Sequence, residues 1–229
     1  DFHGNERVLD VGCGQGTLTQ EIGRLVPAGD VLGVDLSHDM IMYAKAHNQL
    51  ENVRYELQDA QKLTYTNEFN LVFSSFCLQW AKDKEAVFSS LYQALKPNGN
   101  ILLMMANRHP ILEEVGEELI QSTKWQSYFH DFISPTPAVM FEQYDTLAKE
   151  VGFQNIDYQV KTLVLEFASR DALLNQLAAT QPYHKHLQKE LSQVFVNEFV
   201  DAYLSRLDAL PSPTLHLSFQ CPVLRAHRD

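Results

Sequence analysis

Between positions 10 and 16 the chain reads Asp10-Val11-Gly12-Cys13-Gly14-Gln15-Gly16, three glycines in five positions behind a carboxylate. Glycine lets the main chain turn sharply and lets a ligand approach it where a Cβ would otherwise stand. The spacing also excludes ligands. A dinucleotide loop places glycine at the first, third and sixth positions to seat a pyrophosphate, and those positions hold Gly12, Gly14 and Thr17. The third glycine comes one residue early, at Gly16, and no phosphate-binding lysine of the P-loop kind follows. The loop suits a ligand without phosphate.

Two further carboxylates have spacings that complete a site. Asp35 falls about 20 residues past the loop, where a carboxylate can accept hydrogen bonds from both hydroxyls of a ribose. Asp59, followed by Ala60, could hold an adenine edge by accepting from its exocyclic amine, and Asp10 could face an ammonium group. Taken singly, Asp35 reads more often as a solvated strand end, and Asp59 equally as a turn residue. Taken in order, ribose, adenine and amino acid together describe S-adenosylmethionine.

These residues need a scaffold that brings strand ends together. Arg7–Val11 is a short apolar run stopped by Gly12, as expected of a strand buried on both faces of a parallel sheet. Leu18, Ile22, Leu25 and Val26 recur at helical spacing behind it, and Val31–Val34 is a second strand halted by Asp35. Ser37 is placed to cap the next helix and Asp83 a later one. Strands are expected at 53–57, 71–76 and 101–105, the last after a Pro97-Asn98-Gly99 turn, then at 156–167 and 215–224. The alternation predicts a doubly wound α/β sheet of the Rossmann kind, with 1–229 forming one domain. Helical insertions at about 107–136 and 169–210 are expected to cover its ligand-binding edge.

Bulk properties narrow the function classes. A formal charge of −11 disfavours a nucleic-acid backbone as partner, and no apolar run reaches the roughly 18 residues that span a bilayer. Cys13, Cys77 and Cys221 have neither CxxC spacing nor an even count, so they read as reduced thiols, not as a disulfide framework or metal site. The first residues show no signal peptide, and a cytoplasmic location is expected.

The segments VLDVGCGQGTLT (Val8–Thr19), VLGVDLS (Val31–Ser37), the Asp59-Ala60 step and LVFSSFCLQW (Leu71–Trp80) resemble the successive motifs of class I S-adenosylmethionine-dependent methyltransferases. The resemblance runs over nearly the whole chain and implies a seven-stranded sheet whose last strand is antiparallel. It further implies that Asp10, Gly12 and Gly14 line the methionine portion, that Asp35 holds the ribose, that Leu36 packs on the adenine and that Asp59 binds its amine. Cys13, Ala60 and Ser75 are assigned to the same cofactor site.

The methyl acceptor is expected at the carboxyl end of the fourth strand, Ser74-Ser75-Phe76-Cys77-Leu78-Gln79-Trp80. Its polar groups are neutral donors, which suit a bound carboxylate better than proton abstraction; Leu78 and Trp80 could also be core. The LQW ending resembles the trans-aconitate and malonyl-carrier-protein carboxyl methyltransferases. Lys124–Tyr128 and Phe132–Pro135 resemble the juvenile hormone acid O-methyltransferase branch, although Gln79 stands where that branch commonly has histidine. Gln79 and Trp80 are therefore the candidate catalytic groups, with His109 and His130 as candidate bases. Trp125, Tyr128, Phe129 and Phe132 could line an apolar acyl pocket or form the insertion's own core, and Phe76, with Trp125 and Tyr128, is a candidate substrate contact. Glu113, Glu114, Glu117 and Glu118 read as a solvated helix face. A carrier-protein partner would need the small basic group His184-Lys185-His186 and Lys189. Carbon, nitrogen or phenol acceptors with a histidine base, and a non-catalytic cofactor-binding role, stay open.

Overall fold

The computed structural model describes residues 2–106, 110–133, 143–207 and 215–229. Two compact units divide the chain: Asp1–Ala106, Ala138–Lys161 and Cys221–Asp229 form the first, Asn107–Pro137 and Thr162–Gln220 the second. Seven strands, β1 (Arg7–Val11), β2 (Asp30–Asp35), β3 (Val53–Leu57), β4 (Phe69–Ser75), β5 (Leu95–Met104), β6 (Gln154–Glu166) and β7 (His216–His227), lie in the order β3-β2-β1-β4-β5-β7-β6. The pairs among β1 to β5 are parallel. β7 runs antiparallel to β5, from Asn100 opposite His227 to Met104 opposite Val223. The fold is thus the Rossmann-like sheet with an antiparallel strand that the alternation and the resemblance lead one to expect.

The helices are α1 (Thr17–Leu25), α2 (His38–His47), α3 (Lys84–Ala94), α4 (Pro110–Gln121), α5 (Gln143–Val151), α6 (Arg170–Thr180) and α7 (Lys189–Leu207). In the first unit, period-two alternation splits each central strand between two cores. Val8 and Val31 pack with Ile22 and Val26 of the α1 segment and with Ile41 and Ala44 of α2. Leu9, Val11, Leu32 and Val34 pack with Val87, Phe88 and Leu91 of α3 and Ala148 of α5. Burial on both faces is why β1 reads as a short apolar run, without alternation of apolar and polar residues. Both predicted caps form: Ser37 Oγ accepts from Met40 N at 3.4 Å and Asp83 Oδ1 from Ala86 N at 2.9 Å.

One expectation is corrected. Pro97-Asn98-Gly99 does not stand ahead of the fifth strand but inside it, since β5 begins at Leu95. The turn residues are absorbed as an irregularity: the β4–β5 register shifts between Phe69 and Leu71, and Asn98 takes φ 64°. Asn98 N–H donates to Arg228 O at 2.8 Å and Arg228 N–H to Gly99 O at 2.9 Å, so the distorted stretch keeps its main-chain partners.

The second unit has a core of its own, rich in aromatic rings. Trp125, Phe129, Phe195, Phe199 and Tyr203 pack with Leu112, Leu173 and Leu177. Trp125 and Phe195 meet edge to face with ring centroids 5.0 Å apart. On the acidic face of α4, Glu114 and Glu118 are exposed and both pair with Arg206 of α7. Among the described residues no helix is long and apolar enough to cross a membrane.

Candidate active site

The first unit gathers the carboxylates at the carboxyl ends of β1, β2 and β3. The loop after β1 folds back on β2, with Gly12 N–H and Cys13 N–H both donating to Val34 O at 2.7 and 3.0 Å. Gly12 adopts φ +77°, and a Cβ there would stand 2.1 Å from Cys77 Sγ, so the loop and the segment after β4 are in contact without room for a side chain. Gly14, at φ +54°, is the opposite case: a Cβ on it would meet nothing within 4 Å. One glycine is demanded by packing; the other faces open space.

Asp35 is the hub of this end. Its Oδ2 accepts Gly14 N–H at 2.9 Å and its Oδ1 accepts Ser37 N–H at 2.8 Å. A carboxylate has about four acceptor sites, so roughly two stay available to a ligand. Leu36 beside it is 70% exposed, an apolar side chain presented to solvent next to a charge. Asp59 follows β3 and is part of a short turn, its Oδ1 accepting Gln61 N–H at 2.9 Å. That N–H, with the Gln61 side-chain amide, holds the Asp59 carboxyl below the usual carboxylate range. The turn-residue reading of Asp59 thus describes its geometry, with acceptor capacity left over; Ala60 follows it, half-buried.

Asp10 is buried, and its Oδ2 accepts the hydroxyl of fully buried Thr19 at 2.6 Å. Burial pushes its carboxyl up to about 7, with the Thr19 hydroxyl opposing and the charge of Asp35 adding. The thiol of Cys13 is raised by burial and by the same two carboxylates, which leaves it an inert packing group.

At the end of β4 the chain makes a tight bend that sequence periodicity does not reveal. Phe76 adopts φ 53°, in the left-handed region that bulky residues avoid, and donates its N–H to Met104 O at 2.8 Å. Leu78–Trp80 then forms one 3-10 turn. Leu78 is buried in the core, whereas Trp80 is 43% exposed. Gln79 Nε2 donates to Phe76 O at 2.9 Å, while its Oε1 is buried with no hydrogen-bond partner among the described residues. Ser75 is half-buried at the strand end and Ser74 is spent on the scaffold, donating to Val11 O at 2.7 Å. Burial holds the Cys77 thiol up at about 12.

The remaining candidates lie elsewhere. Trp125 belongs to the second unit and is 1% exposed, its indole N–H donating to Glu198 Oε2 at 2.8 Å; it stands in that unit's own core. Tyr128, in the same unit, is exposed. His130 is exposed there too, with Nδ1 3.1 Å from Ser127 O and Nε2 2.7 Å from Asp131, so both ring nitrogens have partners. His109 lies outside the described residues, as do the side chains of His184 and Lys185. Sequence reasoning missed Lys84, buried at the start of α3 with its ammonium on the carbonyl oxygens of Gln79 and Ala81. The available signal was a lysine in the first turn of a helix, where the macrodipole disfavours a cation.

Comparison with known proteins shows the family. The family described as a methyltransferase domain matches residues 2–152. Juvenile hormone acid O-methyltransferase of Bombyx mori is 29% identical over 86% of this chain and 73% of its own length. Trans-aconitate 2-methyltransferase of Deinococcus radiodurans is 27% identical over 93% of this chain and 83% of its own. A solved phosphoethanolamine N-methyltransferase 2 of Haemonchus contortus, in complex with S-adenosyl-L-methionine, superposes with TM-score 0.62 at 23% identity. That match takes in all of this chain and half of the other. The chain belongs to the methyltransferase-domain family, the class I S-adenosylmethionine-dependent methyltransferases. The first unit suits that cofactor on its own terms: an open face at Gly14, spare acceptor capacity on Asp35 and an exposed apolar side chain at Leu36.

Proposed function

We propose that the chain methylates the carboxylate of a small, apolar acid. The observation that carries this reading is the chemistry of Ser74–Trp80. No side chain in that segment takes up a proton at neutral pH, because its one titratable group, the Cys77 thiol, is held at about 12. A phenol, amine or carbon acceptor benefits from a base, whereas a carboxylate arrives already ionised. The exposed Trp80 indole and Phe76 ring give an apolar surface for the rest of such an acid. The names of the two relatives, one acting on an acid and one on trans-aconitate, support the same acceptor.

S-adenosylmethionine, when bound, supplies an electrophilic methyl group on a sulfonium sulfur. The chain's part is then placement, which is most of what an in-line displacement requires. In this reading Asp35 accepts from the ribose hydroxyls, Leu36 covers the adenine, and Asp59 with Ala60 takes its amine edge. Asp10 and the main chain of Gly12, Cys13 and Gly14 receive the amino-acid end, with Ser75 beside them. Gln79 and Trp80 orient the acceptor.

A second reading has one observation in its favour. The buried, unpartnered Gln79 Oε1 accepts hydrogen bonds, which suits a hydroxyl or N–H on the acceptor. Methyl-tritiated cofactor with a panel of carboxylic acids, phenols and amines separates the two. Base-labile label on an acid, lost in Asp35→Ala, is the expected result; alkali-stable label on a phenol or amine alone would replace it with the second reading.

A further inference from the structure

Lys84 is 8% exposed, and its described hydrogen bonds go to backbone carbonyls, none of them to a carboxylate. It stands in the first turn of α3, the positive end of the helix dipole. A buried cation so placed carries a desolvation cost. The two carbonyls are Gln79 O, at 3.0 Å, and Ala81 O.

We propose that Lys84 is a positioning residue, its buried ammonium fixing the Leu78–Trp80 turn so that Gln79 and Trp80 stay presented to the acceptor. The inference rests on the reading of those two groups as acceptor-side. Leu78 anchors one end of the turn in the core, but the turn's own main chain does little to fix the rest. It has two internal main-chain bonds, Trp80 N–H to Cys77 O at 3.0 Å and Ala81 N–H to Leu78 O at 3.2 Å, and so short a 3-10 segment has no cooperative stability. It also leaves a bend strained at Phe76, whose carbonyl is taken by the Gln79 side chain. Trp80 stands between the two carbonyls that share the ammonium. Its ring is nearly half exposed, so neighbouring side chains do little to fix it and the backbone must. Lys84 closes the carbonyl end of the turn, as a lysine does at a helix C-terminus, and Gln79 is thereby held by its side chain on one side and its main chain on the other.

Tryptophan fluorescence tests this without a known acceptor. The chain has two tryptophans, and Trp125 is buried, so acrylamide reaches chiefly Trp80; a Trp80→Phe variant identifies its component. With S-adenosylhomocysteine bound, Lys84→Met should raise the quenching constant of the Trp80 component about twofold or more. Cofactor-product affinity by calorimetry should stay within about threefold, and Lys84→Arg, which keeps charged donors, should return quenching toward wild type. Should Lys84→Met fail to fold, Lys84→Gln, with one amide for two carbonyls, carries the same expectation. Unchanged quenching in a folded variant overturns the proposal. With an acid that is methylated, acceptor KM or kcat should change while cofactor KM does not. If no acid is methylated, the carboxylate reading falls and the quenching result still decides Lys84.

Discussion

The cofactor loop and the turn after β4 solve opposite electrostatic problems within one unit. At the loop, carboxylates collect donors: Asp35 takes two backbone N–H groups and Asp10 takes the Thr19 hydroxyl. At the turn, an ammonium collects acceptors, Gln79 O and Ala81 O. The loop keeps unused acceptor capacity facing open space, which suits a ligand rich in hydroxyl and amine donors. The turn presents a half-exposed indole, and its Gln79 amide N–H is already spent on Phe76 O. On the proposed reading, the difference teaches that the cofactor is recognised by carboxylates held in place by main-chain donors, and the acceptor by side chains propped from their own backbone.

The contrast breaks first at Gly12. Gly12→Ala combines φ +77° with a Cβ driven into Cys77, and should weaken S-adenosylhomocysteine binding by about 100-fold or more in calorimetry. Asp35→Ala comes next, at about 30- to 100-fold, because it orphans Gly14 N–H and Ser37 N–H as well as the ligand; Asp35→Asn should recover part of this. Asp10→Asn sharpens the comparison through pH. The native carboxyl sits at about 7 against an ordinary 3.8, so the folded state binds the extra proton between those values. Stability of the ligand-free protein should therefore fall as pH rises from about 4 through 7, then level off. Urea midpoints between pH 4 and pH 8 should fall less in Asp10→Asn than in wild type. The smallest effect is expected at Gln61, whose amide donates to Asp59 at 3.1 Å and whose Oε1 accepts Asp83 N–H at 2.9 Å, linking Asp59, on the cofactor side, to the cap of α3 that follows the turn. Gln61→Ala should cost binding less than about threefold; a larger loss would mean that the two regions act as one.

What the sequence disclosed follows the same division. β1 is legible because burial on both faces shows as apolar Val8, Leu9 and Val11, and the glycines mark where the main chain must turn. Ser37 and Asp83 were legible as caps because a cap is a local interaction. The Leu78–Trp80 turn was not, since three residues carry no periodicity, and Leu78 and Trp80 look alike until one is buried and the other exposed. Lys84 was passed over because a single lysine is ordinarily a surface residue. In the second unit the aromatics at 125–132 left pocket and core equally open. What ties Trp125 into its unit is Glu198, 73 residues further along, and no spacing announces a pairing that distant.

The missing side chain of Gly12 has a consequence for redesign. Cys77 fills the volume a Cβ would need, its own Cβ lying 2.2 Å from that point. Positions 12 and 77 are therefore a single choice. Libraries that enlarge the residue at 77 to reshape acceptor specificity should return variants whose cofactor affinity has shifted too. Selections for a new acceptor should accordingly keep small residues at 77 and find their useful diversity at 76, 79 and 80 instead.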